Sequence, residues 1–157
     1  MSRTRFLYLS FGWHWFMTSV LMALLFSQLL KHFGVVMPRL VFGVVPPAIA
    51  SMIAGIRFAR THVAMPTSRE AWHFAAIGTL IVAILSVLRS LVLSGFSPAL
   101  RAQFAPLWTQ RDPYYFAVLG AIFLIVLGVV LVINRLFFPI GVRIHLKSLS
   151  AADDRSD

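Results

Sequence analysis

Residues 6–30 carry no formal charge over 25 consecutive positions, and a run of that kind decides what the rest of the chain can be. A helix rising about 1.5 Å per residue crosses a hydrocarbon core of about 30 Å in about 20 residues, so this run is long enough to span a bilayer. Lipid offers the backbone no water to bond, and a helix satisfies its amides internally. A secretory signal peptide is the competing reading, since Arg3 and Arg5 precede the run. The run is too long for such a segment and ends in Ser27-Gln28-Leu29-Leu30-Lys31 with no small-x-small cleavage pattern, so it reads as a retained first helix.

Composition extends this to the whole chain. It is 59% hydrophobic and only 12% charged, with a mean hydropathy of +0.85. A soluble domain carries about a quarter charged residues, so most of this surface has to face lipid. The absence of cysteine excludes disulfides and thiolate metal sites. The net charge of +9 is spread between apolar runs rather than along one face, and no nucleic-acid-binding motif accompanies it. It reads as orientation in an anionic membrane, with no nucleic-acid partner.

Three further apolar runs follow the first, at residues 40–56, 71–93 and 114–133. The second contains Pro46-Pro47, which removes two amide donors and predicts a kink. Interrupted helices line transporter sites when the other half has a matching break, and the later runs show none. The third begins behind a capping box, Thr67-Ser68-Arg69-Glu70, and contains one charge, Arg89. Asp112-Pro113 starts the fourth, and Asn134-Arg135 marks its exit. Between them, residues 97–110 open on Ser97-Pro98, with Ala99, Leu100, Phe104 and Leu107 on one face and Trp108 nearby, as expected of an interfacial segment. Residues 136–157 form an amphipathic, basic tail, surface-hugging up to 149. The expectation is one all-α domain over residues 1–157, an integral membrane four-helix bundle.

With the N-terminus inside, nine basic residues (Arg3, Arg5, Arg57, Arg60, Arg69, Arg135, Arg143, Lys147, Arg155) fall on the cytoplasmic side and four (Lys31, Arg39, Arg101, Arg111) opposite. The positive-inside rule therefore puts both termini, and the loop at residues 57–72, in the cytoplasm. Trp13, Trp15 and Trp72 then mark the inner interface, and Trp108, Tyr114 and Tyr115 the outer one.

Close approach of helices in lipid depends on small residues. Ser19, Ala23 and Ser27 recur at every fourth position of the first run, and Ser86, Ser90 and Ser94 of the third. Ala50/Ala54 and Ser51/Gly55 do so on the second, and Ala117/Ala121 on the fourth. These stripes predict the packing faces.

Candidates for chemistry are few. Arg89 lies inside a span with no intramembrane carboxylate to pair with; in the outer third of its helix, it is expected to snorkel outward, with an anionic lipid or partner as the alternative. His14 and His73 sit at comparable depth, and two facing imidazoles would ligate a haem or pigment metal; an interfacial histidine bonded to backbone or lipid is the plainer reading. Gln28 and Asn134 end spans and are placed to bond between helices. There is no phosphate loop, HExxH, paired intramembrane carboxylate or serine–histidine–acid set, which argues against an enzyme and against proton-coupled transport.

The string AGIRFARTHVAMPTSREAWHFA resembles the signature segment of a family of small, uncharacterised four-transmembrane-helix bacterial inner-membrane proteins. A short apolar helix ends there in Gly-x-Arg-Phe-Ala, a basic turn with Pro-Thr follows, and an acidic residue precedes a tryptophan. The matching positions are Gly55, Arg57, Phe58, Ala59, Pro66, Thr67, Glu70 and Trp72. Members often have a Gly-Arg-like turn where this chain has Val63-Ala64-Met65. The resemblance implies a four-span topology and a bacterial inner membrane, and no reaction. In this loop Arg57, Arg60 and Arg69 make a basic surface for anionic lipid of the cytoplasmic leaflet or another membrane protein, and Glu70 is placed to pair with one of the first two. The expected function is a non-enzymatic accessory or interaction subunit of a larger membrane complex. A solute or lipid carrier is second, with a cavity near Pro46-Pro47 lined by Ser51, Ser86 and Ser90. A haem- or pigment-binding protein is third, through His14 and His73.

Overall fold

A computed structural model of the chain describes residues 3–34, 39–96, 98–109 and 112–153. The Ser97 cap, Arg111, Arg155 and the side chains of Arg3, Arg39, Ser94, Ala99, Leu100, Phe104, Leu107 and Trp108 lie outside the described residues. The fold is all-helical, in the order α1 (Arg3–Phe33), α2 (Arg39–His62), α3 (Ser68–Phe96), α4 (Pro98–Thr109) and α5 (Pro113–Asp153). Three helices are long and apolar enough to cross a membrane, over Arg5–Phe33, Ser68–Val92 and Pro113–Ala151.

Local chemistry sets the helix ends. α1 stops where Gly34 turns to φ 64°, its amide bonding the Leu30 carbonyl at 3.1 Å. α2 stops in the same way at Val63, a β-branched residue held at φ 42°. The capping box forms as expected: the Thr67 amide donates to Glu70 Oε2 at 2.8 Å, and the Glu70 amide to Thr67 Oγ1 at 3.2 Å. Asp112 caps α5 through the Tyr114 amide at 2.9 Å.

α2 packs between α1 and α5. Pro46 and Pro47 lie within it and are fully buried, as are Ala50, Ser51, Ala54 and Ala59. Its crossing with α5 rests on two glycines. A methyl group at Gly55 would land on the Phe138 carbonyl oxygen, and one at Gly141 on the Met52 carbonyl oxygen. The two backbones therefore touch, as small-residue crossings in membranes allow.

α5 differs from the expectation. The helix does not stop at Asn134-Arg135: α5 continues to Asp153, and of the residues expected in a surface tail Phe138, Gly141 and Val142 are buried, whereas residues 143–149 are exposed or half-buried. Buried Asn134, Phe138 and Val142 recur every fourth residue, so one face of the second half of α5 is drawn into the bundle against α2 and α3. The first half has the opposite character, and Ile122, Phe123, Leu124, Ile125 and Val126 are all exposed.

The core accordingly sits at one end of the bundle. Phe74 stacks on Phe138 at 4.1 Å between centroids and meets Phe11 edge-on at 5.4 Å; Phe58 meets Phe138 edge-on at 5.4 Å. Such ring geometries add about 0.5–1.5 kcal/mol per pair beyond burial. Toward the other end, α1 from Val20 to Phe33 and α3 from Ile84 to Val92 present mostly exposed apolar side chains.

Candidate functional site

Ser51, Thr79 and Asn134 are three buried polar residues from three helices. Ser51 Oγ donates to Asn134 Oδ1 at 2.8 Å, and Asn134 Nδ2 donates to Thr79 Oγ1 at 3.2 Å. The interior thus contains a polar constellation that joins three helices. Asn134 does bond between helices, from the middle of a helix that runs on past it. A single asparagine late in an apolar run was the signal for it, since such a group stays in an apolar interior only when its donor and acceptor are both satisfied.

The end nearest this lock opens into a cleft of about 980 Å³. Its floor is aromatic: Phe58, Phe74 and Phe138. Its rim is basic and is built from the ends of α2 and α3. Arg57 donates to Ser10 Oγ of α1, and its guanidinium lies 5.7 Å from the centroid of the Phe6 ring. Three residues on, Arg60 is exposed on the same rim. His62 stacks on Phe58 at 4.3 Å, and His73 Nδ1 meets the Tyr8 hydroxyl at 3.2 Å. Glu70 lines the cleft but does not pair with Arg57 or Arg60 among the described residues, contrary to the expectation. The capping geometry claims its carboxylate, which also accepts from the Thr67 hydroxyl at 2.8 Å.

The other candidates are dispersed. Arg69 is exposed and does not line the cleft. Arg89 does not snorkel outward: its guanidinium turns back to 5.9 Å from the ring centroid of buried Trp15 on α1. Helical side chains lean toward the N-terminal end of their helix, and the indole face offers the cation an attraction there. His14 Nδ1 donates to its own helix's Ser10 carbonyl at 2.6 Å and borders a second depression of about 490 Å³ beside Trp13. His73 lines the main cleft, with Arg57 on the wall shared by both, so the two imidazoles are not brought to one cavity. Among the described residues no group of three histidine, cysteine or acidic side chains converges as a metal site would require.

Of the packing stripes, Ser19 is buried, Ser86 and Ser90 are half-buried, and Ala23 and Ser27 are exposed, because the upper part of α1 stands clear of its neighbours. Ala117 and Ala121 are exposed too; Gly141 takes the contact role on α5. The carrier cavity expected near Pro46-Pro47 is not formed by these residues, since both prolines and Ser51 are fully buried and the serine hydroxyl is bonded to Asn134. Sequence reasoning missed Tyr8, Phe74 and Phe138 as site builders. Their spacing carries a signal: Ala71, Phe74, Ala75, Gly78 and Val82 are a 3.6-period inner face. No protein-family model, curated protein or solved structure matches this chain.

Proposed function

We propose that this chain is a non-enzymatic bacterial inner-membrane protein, an accessory or interaction subunit of a larger membrane complex, of the four-span kind its residues 55–72 resemble. In this reading α2 is the fourth spanning helix, packed between α1 and α5, and both termini face the cytoplasm with the basic cleft. Residues 113–133 of α5 cover about 30 Å, a full hydrocarbon core, which sets Asn134 and everything after it at the cytoplasmic interface.

The observation that carries the reading is the first half of α5. Its small residues, Ala117, Gly120, Ala121 and Gly128, are exposed, and a methyl group at either glycine would meet nothing within 4 Å. Small residues at helical spacing favour helix–helix contact, and among the described residues these four are left exposed. The test is purification in mild detergent, with cross-linking from a single Ala121→Cys substitution in the otherwise cysteine-free chain. Co-migration with a larger species and an adduct of defined mass support a subunit. A monodisperse single chain with no adduct removes the reading.

A carrier of small solutes or lipids is the second reading, favoured by the cleft between Arg57, His73 and the phenylalanine floor. A haem or pigment held by His14 and His73 has no comparable support.

A further inference from the structure

We propose that the cleft is a binding site for an anionic phosphate-bearing amphiphile, a phosphate ester of net negative charge joined to an apolar body. The inference goes beyond the accessory role and does not depend on it.

The cleft has two chemical halves. On the rim, Arg57 is pre-oriented by Ser10 and Phe6, and a guanidinium fork matches two phosphate oxygens at once. Arg60 stands one turn away on the same rim, and His73 is set by Tyr8 across from them on α3. The carboxylate of Glu70 is held by Thr67 rather than by either arginine, so two guanidinium groups stand against one carboxylate and the rim keeps a net positive charge. Below the rim the lining is apolar, with exposed Phe6, half-buried Leu7 and Phe58, and the buried rings of Phe74 and Phe138. An inorganic anion would satisfy only the rim, and a hydrocarbon only the floor. A phosphate ester with an apolar body satisfies both, and about 980 Å³ is room for one at the upper end of small-ligand sites. Phe6, 60% exposed at the edge next to Arg57, gives the apolar part a way in from lipid.

Two sources share this chemistry, an anionic phospholipid and a soluble aromatic phosphate. The full chain in non-ionic detergent is titrated separately with phosphatidylglycerol, phosphatidylcholine of the same acyl chains, 1-naphthyl phosphate and inorganic phosphate. Thermal stability and native mass spectrometry report binding. Retention of phosphatidylglycerol over phosphatidylcholine supports the proposal with a lipid source; retention of 1-naphthyl phosphate over inorganic phosphate supports it with a soluble one. Arg57→Gln/Arg60→Gln weakens either ligand by about tenfold or more, as loss of charge-assisted bonds does. Arg60→Gln alone, at an exposed position, keeps the test valid if the double variant misfolds, and weakens binding in the same direction. Arg143→Gln/Lys147→Gln removes equal charge outside the cleft, at exposed positions of α5, and leaves binding unchanged. The proposal is overturned if neither probe binds, if phosphatidylcholine does as well as phosphatidylglycerol and inorganic phosphate as well as 1-naphthyl phosphate, or if the control variant loses as much as the cleft variant. A cleft that binds while no partner co-migrates sinks the accessory role alone, and the reverse sinks this proposal alone.

Discussion

Asn134 ties α2, α3 and α5 together with one side chain, and its energetics can be separated from simple packing. Truncation to alanine removes both bonds and opens a small void, so Asn134→Ala is expected to cost about 1–3 kcal/mol. The hydrogen-bonded share appears in a double-mutant cycle with Ser51→Ala, measured by thermal unfolding in detergent. A coupling of about 0.5–1.5 kcal/mol is expected, the range found for interhelical bonds in lipid. Additive losses would mean that the Ser51–Asn134 bond contributes nothing to the assembly. Val63 offers the opposite sign. Its φ of 42° is a backbone conformation that a β-branched residue holds at a cost of about 1–3 kcal/mol and glycine adopts freely. Val63 is also 68% exposed, so little packing is lost on removing it. Val63→Gly is therefore expected to raise stability by about 1 kcal/mol, despite glycine's greater unfolded-state freedom. A lower melting temperature in the variant would show that the turn is unstrained.

Among the helices, the α2–α5 crossing is the least tolerant contact. Neither Gly55 nor Gly141 can accept a methyl group without moving a backbone carbonyl, so each alanine variant is expected to lose about 2 kcal/mol or more. Gly120→Ala and Gly128→Ala, with open space around both, are expected to be neutral or to gain up to about 1 kcal/mol. Similar losses at all four positions would mean that helix propensity, not the crossing, governs these glycines. The contrast also marks what the chain made legible. The capping box and the Asp112 cap could be read directly because they are local patterns in which the partners lie two or three residues apart. Buried small residues at Ala50, Ser51, Ala54 and Gly55 could be read from spacing. The course of α5 could not, because the residues after Asn134 look like an exit from lipid until Phe138 and Val142 find α2 and α3 to pack on. Arg89 misled for a similar reason, since its partner Trp15 lies 74 positions earlier on another helix. The cleft was half legible: Arg57 and Arg60 stood out as charges, whereas its floor comes from α2, α3 and α5 together.

For the molecule as a whole, the unequal distribution of packing makes a statement about orientation. Rings, glycines and the polar lock gather at the end that carries Arg57, Arg60, Arg135, Arg143 and Lys147, while the other end is nearly bare apolar helix. At 41 residues α5 is about 61 Å long, twice what a hydrocarbon core accommodates, so one of its halves has to leave the lipid. Charge favours the second half, and with it the packed end, on the cytoplasmic side, where basic residues are retained. The chain has no native cysteine, so this orientation can be tested by single substitutions read with a membrane-impermeant maleimide. Met65→Cys lies in the exposed turn between α2 and α3, and Ala105→Cys on an exposed position of α4 at the opposite end. The expected pattern in intact cells is labelling at position 105 and none at 65, with 65 becoming reactive once the membrane is opened. Labelling at 65 and protection at 105 would invert the topology. Labelling at both in intact cells would mean that the two ends of the bundle share one compartment, which no arrangement with α1, α3 and α5 all crossing the bilayer allows.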